Sequence, residues 1–170
     1  MPGTENKKTV CITGSVWSGR RSAPRHMLVK DGFKRPLWFT TDRPVNDAQY
    51  RRISTSKFHL ANSLGEVLVS THYGSSFVGV MREDYEEALA AAERGVLIVG
   101  PPEIAAALAE ALPQSIIFAL KDAQMDLSEH LEQTKEQGRL HRIDVDVLAP
   151  GAWTEVHRMM LETIENPGGM

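Results

Sequence analysis

The stretch KTVCITGSVWSGRR, residues 8–21, decides how the chain is read. Residues 8–13 are short, β-branched and apolar, the pattern of a buried strand that ends at Gly14. Gly14 and Gly19 then bracket four residues, and the sequence turns to helical spacing after them. Glycines at both ends of such a turn let backbone N–H groups point inward around an anion at the start of a helix. Gly14, Ser15, Gly19, Arg20 and Arg21 are therefore the candidate phosphate-holding residues. The usual ending of the motif is Gly-Lys-Ser/Thr, where the lysine reaches the β/γ-phosphates and the hydroxyl binds Mg²⁺. Here it is Gly19-Arg20-Arg21. Arg20 keeps the positive charge, but its planar fork does not replace a compact ammonium. Arg21 cannot ligate Mg²⁺, and Ser22 could do so only in a loop one residue longer. Arg20 is the one candidate catalytic group here. The same residues also fit a plain strand-to-helix turn with two glycines.

Outward from this stretch, strands and helices alternate. Helical spacing follows over 20–31, with Pro24 limiting where that helix starts. Residues 37–40 (LWFT) form a second apolar run. Ser54 and Thr55 cap a helix over 54–64 that Gly65 stops. Residues 66–71 and 77–80 read as short strands around the turn 72–76. Residues 82–94 predict a strong helix, acidic at its start and closed by Arg94 and Gly95, as the helix dipole favours. Residues 96–99 (VLIV) and 115–120 (SIIFAL) are buried strands, with an alanine-rich helix over 103–111 between them. A polar helix is predicted over 127–137, a strand over 143–147 and an amphipathic helix over 152–165. The pattern predicts an α/β fold in three layers around a mainly parallel sheet. The strands at 8–13, 37–40, 96–99, 115–120 and 143–147 are expected at its centre, with 66–71 and 77–80 in a small side sheet. Residues 1–165 are expected to be one domain and 166–170 a frayed tail.

Composition narrows the function. With 170 residues, 42% hydrophobic and 24% charged, the chain is an ordinary globular one. A single cysteine, Cys11, excludes a disulfide framework within the chain and a multi-cysteine zinc site. No apolar run approaches a membrane span, and the start is polar, so a soluble cytoplasmic protein is expected. Residues 1–60 carry a net charge of +8 and the remainder −11, which suits an anionic partner for the first third. Arg51 and Arg52 join Arg20, Arg21 and Arg25 as candidate anion contacts. No RNA-binding signature accompanies them, so a nucleic-acid partner is not expected. The six histidines show no metal-ligand spacing, and no metal site is assigned.

The order of these features resembles the guanylate-kinase-like branch of the P-loop nucleoside monophosphate kinases, across about 8–165. GSVWSGRR stands where that family has its phosphate loop. TTDRP at 40–44 resembles its Thr-Thr-Arg-Pro segment, and Tyr50 with RRISTSKF the segment after it. LGEVLVS at 64–70, FVG at 77–79, RGVLIVG at 94–100 and SIIFAL follow in the family's order. The resemblance implies a P-loop fold with ATP as phosphoryl donor and substrate-phosphate contacts at Arg43, Tyr50, Arg51 and His72.

The departures from the family pattern point away from its chemistry. The glutamate that reads guanine in the family falls at Val69, a tyrosine at Val78 and a serine at Val80. The acidic pair at the next strand end becomes Val99 and Pro101, which leaves Mg²⁺ without an evident ligand. The segment after 115–120 is too short for the family's arginine-bearing lid, so a reduced lid is expected. Phosphoryl transfer is mostly positioning and charge stabilisation. A degenerate member that binds a phosphorylated small molecule or a protein partner, with little or no kinase activity, is the leading expectation. An active nucleotide or sugar-phosphate kinase of altered specificity is the second. A protein-interaction domain using the former nucleotide site is the third.

Overall fold

A computed structural model describes residues 7–14, 28–42, 50–121, 140–144 and 152–165. The expected helices at 20–31 (apart from its end) and 127–137, and the expected reduced lid, lie outside the described residues.

The main sheet has five parallel strands. They are β1 (Lys8–Gly14), β2 (Phe33–Lys34), β7 (Gly95–Val99), β8 (Ile116–Lys121) and β9 (Leu140–Asp144). Their spatial order is β2-β7-β1-β8-β9, so β1 lies at the centre with Cys11 opposite Ile98 on one side and Ile117 on the other. A central parallel strand must be covered on both faces. Period-two alternation meets that need. Cys11, Val96, Ile98, Ile117 and Ala119 join a core with Ile104, Ala105 and Leu108 of helix α3 (Pro102–Ala111). Val10, Ile12, Leu97 and Phe118 face Val156, Met160 and Ile164 of helix α4 (Ala152–Glu165). Those three α4 side chains recur every four residues and are at most 2% exposed, the stripe that a core-facing helix needs.

A second, four-stranded sheet has the order β4-β3-β6-β5, from β3 (Trp38–Thr40), β4 (Tyr50–Arg52), β5 (Val67–Tyr73) and β6 (Ser76–Met81). The side sheet expected from 66–71 and 77–80 is therefore present, and it is larger. Residues 37–40 correct the expectation: β3 belongs to this sheet, paired antiparallel with β6, and Phe33–Lys34 takes the place beside β7. The reason is packing on both sides of β3. Phe39 lies 5.5 Å from Phe58 of helix α1 (Thr55–Ser63), while Trp38 joins the main core. Thr41 adds hydrogen bonds to β6: its N–H donates to the Phe77 carbonyl (2.9 Å), and its Oγ1 accepts from the Phe77 N–H (2.8 Å).

The helix ends follow local chemistry. Ser54 caps α1 by accepting the Lys57 N–H at 3.0 Å. Pro102 opens α3, where its missing N–H costs nothing. Helix α2 (Arg82–Ala91) stops before Arg94, three residues short of the expected end at 94. Arg94 instead forms the link into β7. Its N–H donates to the Gly32 carbonyl, its carbonyl accepts from the Lys8 N–H, and its guanidinium lies 5.6 Å from the Phe33 ring centre. Strand β9 begins at Leu140, three residues before the expected start. No helix among the described residues is long and apolar enough to cross a membrane.

Candidate functional site

Parallel strands bring their C-terminal ends to one edge, and ligands of open α/β sheets bind beyond that edge. Gly14 is the last residue of central β1, opposite Leu120 of β8, so the glycine-bounded segment leaves from the middle of that edge. Ser15, Gly19, Arg20, Arg21 and Arg43 lie outside the described residues. Immediately before Gly14, Thr13 is fully buried and its Oγ1 has no hydrogen-bond partner among the described residues. Nothing in the sequence distinguishes this threonine from the other β-branched residues of the strand.

The second sheet has two different faces, and the register assigns residues to each. Trp38 stands opposite Tyr50, Thr40 opposite Val78 and Arg52, and Val80 opposite Val69. These seven share one face, which packs toward the main core. Val69, Val80 and Trp38 are buried there, with Tyr50 and Val78 half-buried against them. The Tyr50 ring centre is 6.3 Å from that of Trp38. Trp38 also reaches the edge of the main sheet: its Cη2 lies 3.2 Å from where a Cβ on Gly100 would stand. Gly100 directly follows β7, and its N–H donates to the Ile12 carbonyl of β1 at 3.1 Å. An indole therefore covers the end of β7. Val69, Val78 and Val80, the positions where the resemblance expects guanine-reading groups, all lie on this apolar face.

Arg51 and His72 lie on the other face, with Phe39 and Phe77. Exposed His72 has its ring centre 6.3 Å from Phe77, which stacks on Phe58 of α1 at 4.3 Å. Arg51 donates from Nη2 to Oδ2 of Asp84 at 2.9 Å. Tyr50 is thus separated from Arg51 and His72, while Arg52 comes to the Tyr50 side. Sequence reading treats Arg51 and Arg52 as one basic patch, but adjacent residues of a strand point to opposite faces.

Asp84 is the partner that sequence reading misses. It lies in the first turn of α2, where an acid reads as a helix-dipole contact, yet its side chain is only 8% exposed. Burial pushes its carboxyl above the usual range, and the Arg51 guanidinium pulls it back in part. A carboxyl raised by folding binds its proton more tightly when folded than when unfolded. The stability it contributes therefore falls as pH rises from the ordinary carboxylate range through the raised value. Replacing Arg51 with methionine should remove the opposing pull and steepen that fall. It should cost about 1–3 kcal/mol at neutral pH, because it leaves a buried charged acceptor unpaired. Urea titrations at several pH values check both.

No family model matches the sequence, and no curated protein matches it. Solved structures do. Guanylate kinase from Anaplasma phagocytophilum superposes with a TM-score of 0.64, covering 96% of this chain and 87% of that chain at 12% identity. A gluconokinase from Sinorhizobium meliloti 1021 gives a TM-score of 0.45 at 14% identity, covering 94% of this chain and 93% of that chain. The first likeness shows that the fold is similar to that of P-loop kinases.

Proposed function

We propose that this protein is a degenerate guanylate-kinase-like domain that binds a phosphorylated ligand at the segment Gly14–Arg21 and performs little or no phosphoryl transfer. Gly14, Ser15, Gly19, Arg20 and Arg21 hold the phosphate, and Tyr50 and Arg43 are the proposed contacts to the substrate's own phosphate. Arg51 and His72, on the opposite face of the small sheet, are left out. The observation that carries the reading is the apolar face of the small sheet. Val69 and Val80 are buried in the core, and Val78 packs half-buried against them, where a guanine reader needs hydrogen-bonding groups. Sites that discriminate by such bonds lose orders of magnitude without them.

The residues do not fit Mg²⁺ at this edge. Arg21 stands where the metal-binding hydroxyl is expected. Val99 and Pro101 stand in place of the acidic pair, and Trp38 covers the glycine between them. Binding therefore rests on backbone N–H groups and arginines.

Calorimetric titration with nucleotides and sugar phosphates, with and without Mg²⁺, tests the reading. Affinity should fall as salt rises and should not need Mg²⁺. Arg20→Ala should cost about 1.5–3 kcal/mol of binding, the range for a hydrogen bond to a charged group. Unchanged affinity in that variant would remove the loop from the site.

A further inference from the structure

The opposite edge of the main sheet holds a crevice of about 410 Å³, between the start of β1, helix α2 and the turn after α3. Its lining differs from the rest of an acidic chain, because no aspartate or glutamate among the described residues is part of it. Lys7 supplies an ammonium held in place: its Nζ donates to the carbonyls of Leu89 (2.8 Å) and Ala90 (3.3 Å) in the last turn of α2. Those bonds use two of its three N–H groups. Thr9 Oγ1 and the Tyr85 hydroxyl are 2.6 Å apart. One proton lies between two hydroxyls in such a pair, so whichever accepts keeps its own proton for another acceptor. The Gln114 amide adds further donors. Leu89, Leu112 and Pro113 supply the apolar wall.

We infer that this crevice is a second ligand site, for a small organic monocarboxylate with an aliphatic body. One carboxylate oxygen takes the remaining Lys7 N–H, the other takes the free hydroxyl proton, and the chain lies along Leu89 and Leu112. A single negative charge fits better than two. Helices α2 and α3 both end here, and their terminal carbonyls carry partial negative charge that offsets the Lys7 ammonium. The crevice lies at the start of β1 and Gly14 at its end, so about 20 Å of strand separates the two sites at ~3.3 Å per residue. The inference does not depend on the phosphate reading.

Amide NMR of the full chain tests it, with sodium acetate, butyrate and hexanoate added at constant ionic strength. Saturable shifts are expected at Thr9, Tyr85, Leu89, Leu112 and Ser115, with hexanoate binding about tenfold or more tightly than acetate as apolar surface is buried. Lys7→Met should weaken hexanoate about tenfold or more. Tyr85→Phe, a milder change that keeps the Lys7 contacts, should weaken it about threefold. Shifts that do not saturate, equal binding of hexylammonium, or wild-type affinity in both variants would overturn the site. Saturation of the shifts at these same residues by inorganic phosphate at lower concentration than by hexanoate would overturn its assignment to monocarboxylates.

Discussion

Gly95→Ala should leave this protein unable to fold, or folded only with a large loss of stability. Gly95 stands opposite Lys8 where β7 meets β1. A Cβ added there would lie 1.8 Å from the Lys8 carbonyl oxygen, 2.8 Å from its carbonyl carbon and 2.9 Å from its nitrogen. All three are backbone atoms, so no side chain can rotate away. Gly95 also has φ +158, a backbone region that L side chains rarely adopt. Relief requires β7 to move from β1, which breaks the central pairing of the sheet. Overpacking typically costs about 1–3 kcal/mol and occasionally more, and this contact belongs at or above the top of that range. A domain of this size has only about 5–15 kcal/mol to lose. Circular dichroism and urea titration of the variant check it; a wild-type midpoint would contradict the pairing of Lys8 with Gly95. Gly65→Ala is a control from a turn, because no atom lies within 4 Å of the added Cβ, although its φ of +74 gives it a smaller strain cost.

The second large expected effect is on chemistry. Turnover of ATP with guanosine monophosphate should match a no-enzyme control. Removing a single electrostatic group from an active site commonly costs 10²–10³ in rate. On the proposed reading, arginines stand in place of the loop lysine and the Mg²⁺ hydroxyl, Val99 and Pro101 in place of the acidic pair, and valines 69, 78 and 80 in place of the guanine-reading groups. Those losses together leave no measurable rate relative to the roughly 1–100 s⁻¹ of protein kinases. The assay should include sugar phosphates as acceptors, since an active kinase of altered specificity would reveal itself there.

Much of the fold is legible in the sequence because its signals are local. VLIV and SIIFAL are too short and too apolar to be anything but buried strands. The four-residue recurrence of Val156, Met160 and Ile164 identifies the buried face of α4. The apolar run LWFT carries no comparable information. Its composition says that it is buried, but not which sheet it joins, and only the packing of Phe39 on α1 decides that. Gly95 illustrates a different limit. It reads as a helix stop, whereas its main constraint comes from Lys8, 87 residues earlier in the chain.

The candidate site is less legible for the same reason. The motif at 14–21 can be read residue by residue, and β1 places Gly14 at the middle of the C-terminal edge of the main sheet. Partners brought together by folding leave no local trace. Arg51 looks like a free anion contact until Asp84, 33 residues on, is found against it. His72 looks close to Tyr50 until strand register places the two on opposite faces. Trp38 covers Gly100 across 62 residues of chain, and no spacing rule announces that.

Binding without transfer can be read in one ³¹P NMR experiment. The protein is mixed at low salt with ATP and a set of monophosphate and sugar-phosphate acceptors, and the phosphorus resonances are followed over hours. Resonances of at least one phosphorylated compound should shift or broaden on adding protein and recover as salt is raised. No ADP or newly phosphorylated product should appear beyond the no-enzyme control. Product resonances growing with protein concentration, or phosphorus lines that the protein leaves unmoved at low salt, would contradict binding without transfer.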